Sequence, residues 1–112
     1  PISDQTLAEL LLKIRANRPR AIGLDLYRDL PVEPGSEKLA QVYKSTPNLI
    51  GVKKVVANRL EATVPAPPIL SQKGQVAGND IVVDADGKIR RGLLFLSSPS
   101  GENIPSFAFK LA

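Results

Sequence analysis

Apolar residues recur at helical spacing in SDQTLAELLLKIRAN, residues 3–17. Leu7, Leu10, Leu11 and Ile14 fall at i, i+3, i+4 and i+7, one stripe of an amphipathic helix facing a core. Ser3 or Asp4 supplies its cap, and Asn17 followed by Pro19 its stop. The period then changes. RAIGLDLY, residues 20–27, is an apolar run suited to a buried strand, and residues 28–36 form a loop rich in proline, glycine and acid. SEKLAQVYKST, residues 36–46, returns to helical spacing, with Ser36 as cap and Leu39, Val42 and Tyr43 on the inner side. Pro47 and Asn48 break it, and NLIGVKKVV, residues 48–56, is a second strand. Strand, helix and strand, with about 20 residues between the strands, make a βαβ unit, which requires parallel strands and a right-handed crossover.

Residues 57–75 are irregular. VPAPPIL carries three prolines and is not an inner strand; one helical turn is predicted near residues 68–72. A stretch this long with little regular structure is a candidate functional loop, either a lid or a spacer. Residues 80–97 form a hairpin around the turn signal Asp86-Gly87. Residues 98–103 are a polar turn, and residues 104–112 start a last helix with Pro105 in its first turn. The predicted order is α-β-α-β-loop-β-β-α, without internal repeats. It corresponds to a single α/β domain over residues 1–112, in which a central mixed sheet combines the parallel βαβ unit with the antiparallel hairpin and is flanked by helices.

Composition narrows the chemistry. At 43% hydrophobic, 112 residues can build one core. There is no cysteine and no histidine, which removes disulfides, thiolate metal sites, cysteine nucleophiles and histidine bases from this chain. No metal or cofactor is expected. The net charge of +4 is spread along the chain, with Lys53-Lys54 and Arg90-Arg91 as the basic doublets. With neither a basic stripe nor a set of stacking aromatics, nucleic acid is not an expected partner. No apolar run approaches the roughly 18 residues that span a membrane. The ends, with no initial methionine and a stop inside a helix, suggest a domain cut from a longer protein.

Asp25 is the residue that the pattern does not absorb. It follows Ile22 to Leu24 toward the carboxyl end of a parallel strand, where open α/β sheets place ligand sites. Alternation puts Gly23, Asp25 and Tyr27 on one side. Asp29 comes four residues later, and the two carboxylates together could hold a metal, a sugar hydroxyl or an amine. The more economical reading has Asp25 accepting backbone bonds or pairing with an arginine. In KIRRGLLFL, Arg91 shares a face with Ile89, Leu93 and Phe95, and an arginine on a buried face needs a carboxylate. Asp25, Asp84 and Asp86 are the candidates, with Asp25 favoured; Arg90 is the other available cation. If the site is open, the same arginines would bind an anion. DADG, residues 84–87, has the centre of a calcium-loop pattern but lacks the remaining ligands, so a tight turn is the better reading. Ser97, Ser98 and Ser100 have no histidine to activate them.

Taken in sequence, RPRAIGLDLYRDLP, SEKLAQVYKSTPNLIGVKKV, VAGNDIVVDADGKIRRGLLFL and IPSFAFKLA resemble the type-two CHASE sensor domain, the cyclase/histidine-kinase-associated sensory extracellular domain. The corresponding positions are Ile22 to Asp25, Leu39 to Val42, Leu49 to Val52, Asp84 to Gly87, Arg90 and Arg91, and Pro105 to Ala108. The resemblance implies an extracytoplasmic input module of a bacterial transmembrane receptor. A membrane anchor would precede it, and an adenylate cyclase, histidine kinase or Ser/Thr kinase output would follow. It implies no catalysis by the domain itself and supplies no ligand motif. Asp25, Asp29, Arg90 and Arg91 are therefore candidate ligand-binding residues on chemistry alone.

The expected function is sensing of a small-molecule ligand or envelope component, with a homodimer as the receptor's signalling form and the first and last helices as coupling elements. Two alternatives make different demands. A carboxylate-based α/β hydrolase would expose Asp25 and Asp29 together in one pocket. A ligand-free dimerisation module would show a large apolar self-association surface.

Overall fold

A computed structural model describes residues 1–56 and 62–112. The first helix, α1 (Asp4–Ala16), is capped by Ser3, whose side chain accepts the Thr6 N–H, and it ends at Asn17. Its buried residues are Asp4, Leu7, Ala8 and Leu11. The expected stripe is thus turned: Leu10 and Ile14 lie toward solvent, and the buried face runs back one turn to a carboxylate. After it come β1 (Ile22–Leu24), α2 (Ser36–Ser45) and β2 (Leu49–Lys53). Gly35 takes the cap position of α2, and Ser36 is its first helical residue. Leu39, Val42 and Tyr43 are buried, as the spacing predicts.

The chain then forms α3 (Pro68–Gln72), β3 (Val76–Gly78), β4 (Phe95–Ser97), β5 (Asn103–Pro105) and α4 (Phe107–Leu111). The expected irregular segment 57–75 falls partly outside the described residues; its helical turn is α3. Strands β1, β2 and β3 form an all-parallel sheet with β2 in the centre. Strands β4 and β5 form a separate antiparallel pair, linked to the first sheet by a parallel bridge from Gly78 to Ser106.

Two details differ from expectation. Asp86-Gly87 does turn the chain, through Gly87 N–H to the Asp84 carbonyl and Asp84 N–H to the Lys88 carbonyl, both at 2.9 Å, but beyond the turn the arms form no regular ladder, their one β-bridge running from Val82 to Arg91. Regular antiparallel pairing comes later, across the polar turn at 98–101, and the last helix accordingly starts at Phe107 instead of Ile104.

The main core lies where α1, α2 and Leu70 of α3 cover Ile22, Leu24 and Leu49. Helix α4 packs on the sheet where Gly23 leaves room. A Cβ there would stand 2.7 Å from Phe107 Cζ and 2.8 Å from Leu111 Cδ1, so a larger residue in β1 would displace the helix. A second, smaller core of Val55, Leu96 and Ile104 ties β4 and β5 to the end of β2. Gln75 is buried with its amide spent, donating to the carbonyls of Thr46 at 2.9 Å and Leu49 at 2.7 Å. That bond set anchors the start of β3 beside β2 without leaving a buried polar group unpaired.

The start of α1 is clamped by the loop before α2. The Asp4 N–H donates to the Val32 carbonyl and the Gln5 N–H to the Pro34 carbonyl, both at 2.8 Å. First-turn N–H groups have no partner within their own helix, so residues 32–34 supply what α1 lacks.

Candidate functional site

All three parallel strands end on one edge, and each delivers polar residues there. Beyond Leu24 comes Asp25, beyond Lys53 comes Lys54, and beyond Gly78 come Asn79 and Asp80. Asn79 joins the outer strands across the central one. Its Nδ2 donates to Asp25 Oδ1 at 2.9 Å, and its Oδ1 accepts from the Tyr27 hydroxyl at 2.8 Å. Asp80 accepts the N–H groups of Val55 and Val56, each at 2.8 Å, and so fixes the exit of β2. The result is a braced polar crest at the carboxyl edge, where strand ends leave a crevice in open α/β sheets.

Two hollows flank this crest. One, about 470 Å³, is lined by Tyr27, Lys54, Asn79, Asp80 and Leu93 among others. The other, about 240 Å³, brings together Asp25, Asn79, Arg91, Ser106 and Phe107. Asp25 and Arg91 thus face one hollow from two elements. They do not pair with each other. Asp25 is held by Asn79, and Arg91 pairs with Asp84.

The expectation that Arg91 occupies a buried face is corrected: it is exposed. Its hairpin has a single β-bridge and no regular ladder, so strand alternation does not turn Arg91 into the core. Arg90 lies on the same arm, with Nη1 3.0 Å from Asp84 and Nη2 2.7 Å from Asp86. The Arg91 and Arg90 guanidinium groups hold the Asp84 carboxyl below its ordinary range, and Arg90 does the same for Asp86. The acids of DADG are therefore occupied by arginine. Asp29 lines a separate hollow with Arg28 and Leu30, so the Asp25–Asp29 carboxylate pair that a hydrolase would use is not assembled.

A family model described as the CHASE2 domain matches residues 1–112. The chain belongs to the CHASE2 domain family. CHASE2 is an extracellular sensory domain family found in signalling receptors, and its members are generally non-catalytic. No curated protein and no solved structure matched the chain. Among the described residues, no helix is long and apolar enough to cross a membrane.

The CHASE2 fold of this chain also buries a polar cluster that sequence reasoning missed. Asp4 and Arg28 approach to 3.4 Å with side chains 3% and 8% exposed. Asp4 Oδ2 accepts the Val32 N–H at 3.2 Å, and Arg28 Nη1 donates to the Ile2 carbonyl at 3.0 Å. Tyr43 stands nearby on α2. Burial pushes its phenol up to about 12; the Arg28 charge acts against that and the Asp4 charge with it. One signal was available for Asp4: extending Leu7, Ala8 and Leu11 back by a turn lands on it. Tyr27 was also recoverable, since alternation puts it beside Asp25. Asn79 gave no signal, because β3 is only three residues long.

Proposed function

We propose that this CHASE2 domain is the extracytoplasmic input module of a transmembrane receptor whose output is an adenylate cyclase, histidine kinase or Ser/Thr kinase. In this reading it binds a small polar ligand at the carboxyl edge of the parallel sheet and performs no catalysis. The observation that carries the binding site is the Tyr27–Asn79–Asp25 crest between two hollows. A ligand there would touch elements from both halves of the chain, and its effect on signalling would equal its difference in affinity between two receptor states.

The test is a thermal-shift screen of the domain against metals, sugars, nucleotides, small anions and amino acids, run beside Asp25→Asn and Arg91→Ala. A ligand at 100 times its Kd adds about 2.7 kcal/mol of stability. A selective shift in the wild-type domain that disappears in a folded variant is the expected result. If every hit acts equally on all three proteins, the edge is not the site.

The receptor form we propose is a homodimer built on the hairpin and α4. The chain exposes 7328 Å², whereas a folded monomer of its 12.0 kDa exposes about 6,000 Å². The excess is more than the roughly 800 Å² per partner of a standard interface. Ile81, Ile89, Leu94 and Phe95 stand exposed there, with the Phe109 ring tilted against that of Phe95, centroids 5.1 Å apart. Light scattering should give a dimer mass that Leu94→Lys with Phe95→Lys reduces to the monomer's. A monomer at all concentrations would reject this arrangement.

A further inference from the structure

Away from the sheet edge, a hollow of about 160 Å³ lies between the first turn of α1, the 28–31 loop, α2 and the start of α3. Leu30, Pro31, Leu39, Ala40, Pro67 and Ile69 make most of its wall apolar. Asp4, Arg28 and Tyr43 line it too, and they are only 2%, 9% and 4% exposed. Arg28 Nε and Tyr43 Oη have no hydrogen-bond partner in the protein, and Asp4 Oδ1 has no hydrogen bond beyond its 3.4 Å ion pair with Arg28 Nη1. Buried polar atoms are nearly always paired, so two unpaired donors and an acceptor with spare capacity around one hollow call for an explanation.

We propose that this hollow binds a small zwitterion with an apolar side chain, the chemistry of a free aliphatic α-amino acid. Arg28 Nε–H and the Tyr43 hydroxyl are donors and receive its carboxylate. Asp4 Oδ1 is an acceptor and receives its ammonium. The Asp4–Arg28 pair is neutral as a unit and Asp29 adds a second carboxylate to the lining, so a ligand that carries an ammonium beside its carboxylate matches the hollow better than a simple anion, and the donors favour it over a simple amine. Size sets the other limit: the volume is close to the roughly 150 Å³ of a cavity that holds a benzene ring. The aliphatic body would rest on Leu30, Pro67 and Ile69.

The three atoms lie just beneath the hollow's surface, each exposing under 1 Å². The ligand therefore reaches them as the 28–31 loop shifts, and Leu30 on that loop is 70% exposed, free of the core. The chain that follows, residues 32–34, holds the start of α1. Occupancy would thus be read as a change in the seating of α1, one of the two helices expected to couple the domain to its receptor.

L-leucine is the probe, with thermal shift and titration calorimetry on wild type, Tyr43→Phe, Ala40→Leu and Asp25→Asn. Tyr43→Phe deletes an unpaired hydroxyl and keeps the ring, so it retains the fold. Ala40→Leu fills the hollow from α2; if that variant does not fold, Tyr43→Phe decides alone. L-leucine should raise the wild-type Tm with dose, bind at least tenfold more weakly to Tyr43→Phe, fail to bind Ala40→Leu, and act unchanged on Asp25→Asn. Isovalerate, isoamylamine and toluene, each lacking one part of the match, should shift the Tm less. No shift with L-leucine at millimolar concentration overturns the proposal. So do an unchanged affinity in Tyr43→Phe, a loss confined to Asp25→Asn, which would place binding at the sheet edge, and a toluene effect equal to that of L-leucine, which would make the hollow a plain apolar cavity.

Discussion

Replacing Asp4 by alanine is expected to destabilise the domain by about 3–5 kcal/mol, the cost of stranding one member of a buried ion pair. Arg28 would keep its charge while its side chain stays 8% exposed. Its remaining protein partner would be the Ile2 carbonyl. The Val32 N–H would lose its acceptor as well. The measurement is urea unfolding, with a lower midpoint and an unchanged slope. Asp4→Asn should fall between wild type and alanine, because it can still accept from Val32 but no longer balances the guanidinium. The double change Asp4→Leu with Arg28→Met should recover much of the loss, since apolar pairs of similar volume replace buried ion pairs at little cost. A loss below about 1 kcal/mol for Asp4→Ala would be the value of an exposed pair, and would show that water reaches Arg28.

That cluster also shows where sequence reasoning stops. The first two helices were legible because their apolar residues repeat at helical spacing over several turns. The parallel pairing of β1 with β2 was legible from the helix between them. The buried face of α1 was misplaced by one turn, three positions, because it begins with Asp4. Helical spacing does place Asp4 on that face, but its burial depends on Arg28, 24 positions away and itself in a loop, and the spacing alone does not say that an acid there is internal. Strand β3 is three residues, Val76–Gly78, and one of them is glycine, too short for alternation to register. Pro105 was assigned to a helix's first turn, yet it ends β5, on a two-stranded pair where a missing N–H is tolerated. Asp25 was found from its place toward the carboxyl end of an apolar strand. Its partner Asn79 was not, because that contact exists only once β3 takes its place on the far side of β2. Arg91 was placed inward by assuming a regular strand, where the chain has an irregular arm with a single β-bridge.

Gly35→Ala should be the most damaging glycine change, costing about 3–4 kcal/mol when backbone strain and lost hydrogen bonds are combined. Gly35 sits at φ +106, and a Cβ there would lie under 3.0 Å from the backbone N and Cα of Gln5 as well as its Cβ. Those are main-chain atoms of α1, so no rotamer change relieves the overlap. Relief requires the start of α1 to move off the loop, which breaks the Gln5–Pro34 and Asp4–Val32 bonds. Gly87→Ala provides the control. Its φ of +78 is also left-handed, but a Cβ there meets nothing within 4 Å. It should cost only the roughly 1–2 kcal/mol of placing an L-residue in that region. The difference between the two variants, measured by urea unfolding, isolates the clamp from the backbone strain. Equal losses would mean that α1 is loosely seated and can give way without breaking its bonds. A difference of about 2 kcal/mol would mean that the loop and the helix move only as a unit, by the count of the two hydrogen bonds at stake. In that case any ligand that shifts the loop must also shift α1, and a sensor whose output follows the seating of α1 needs no longer pathway than this contact.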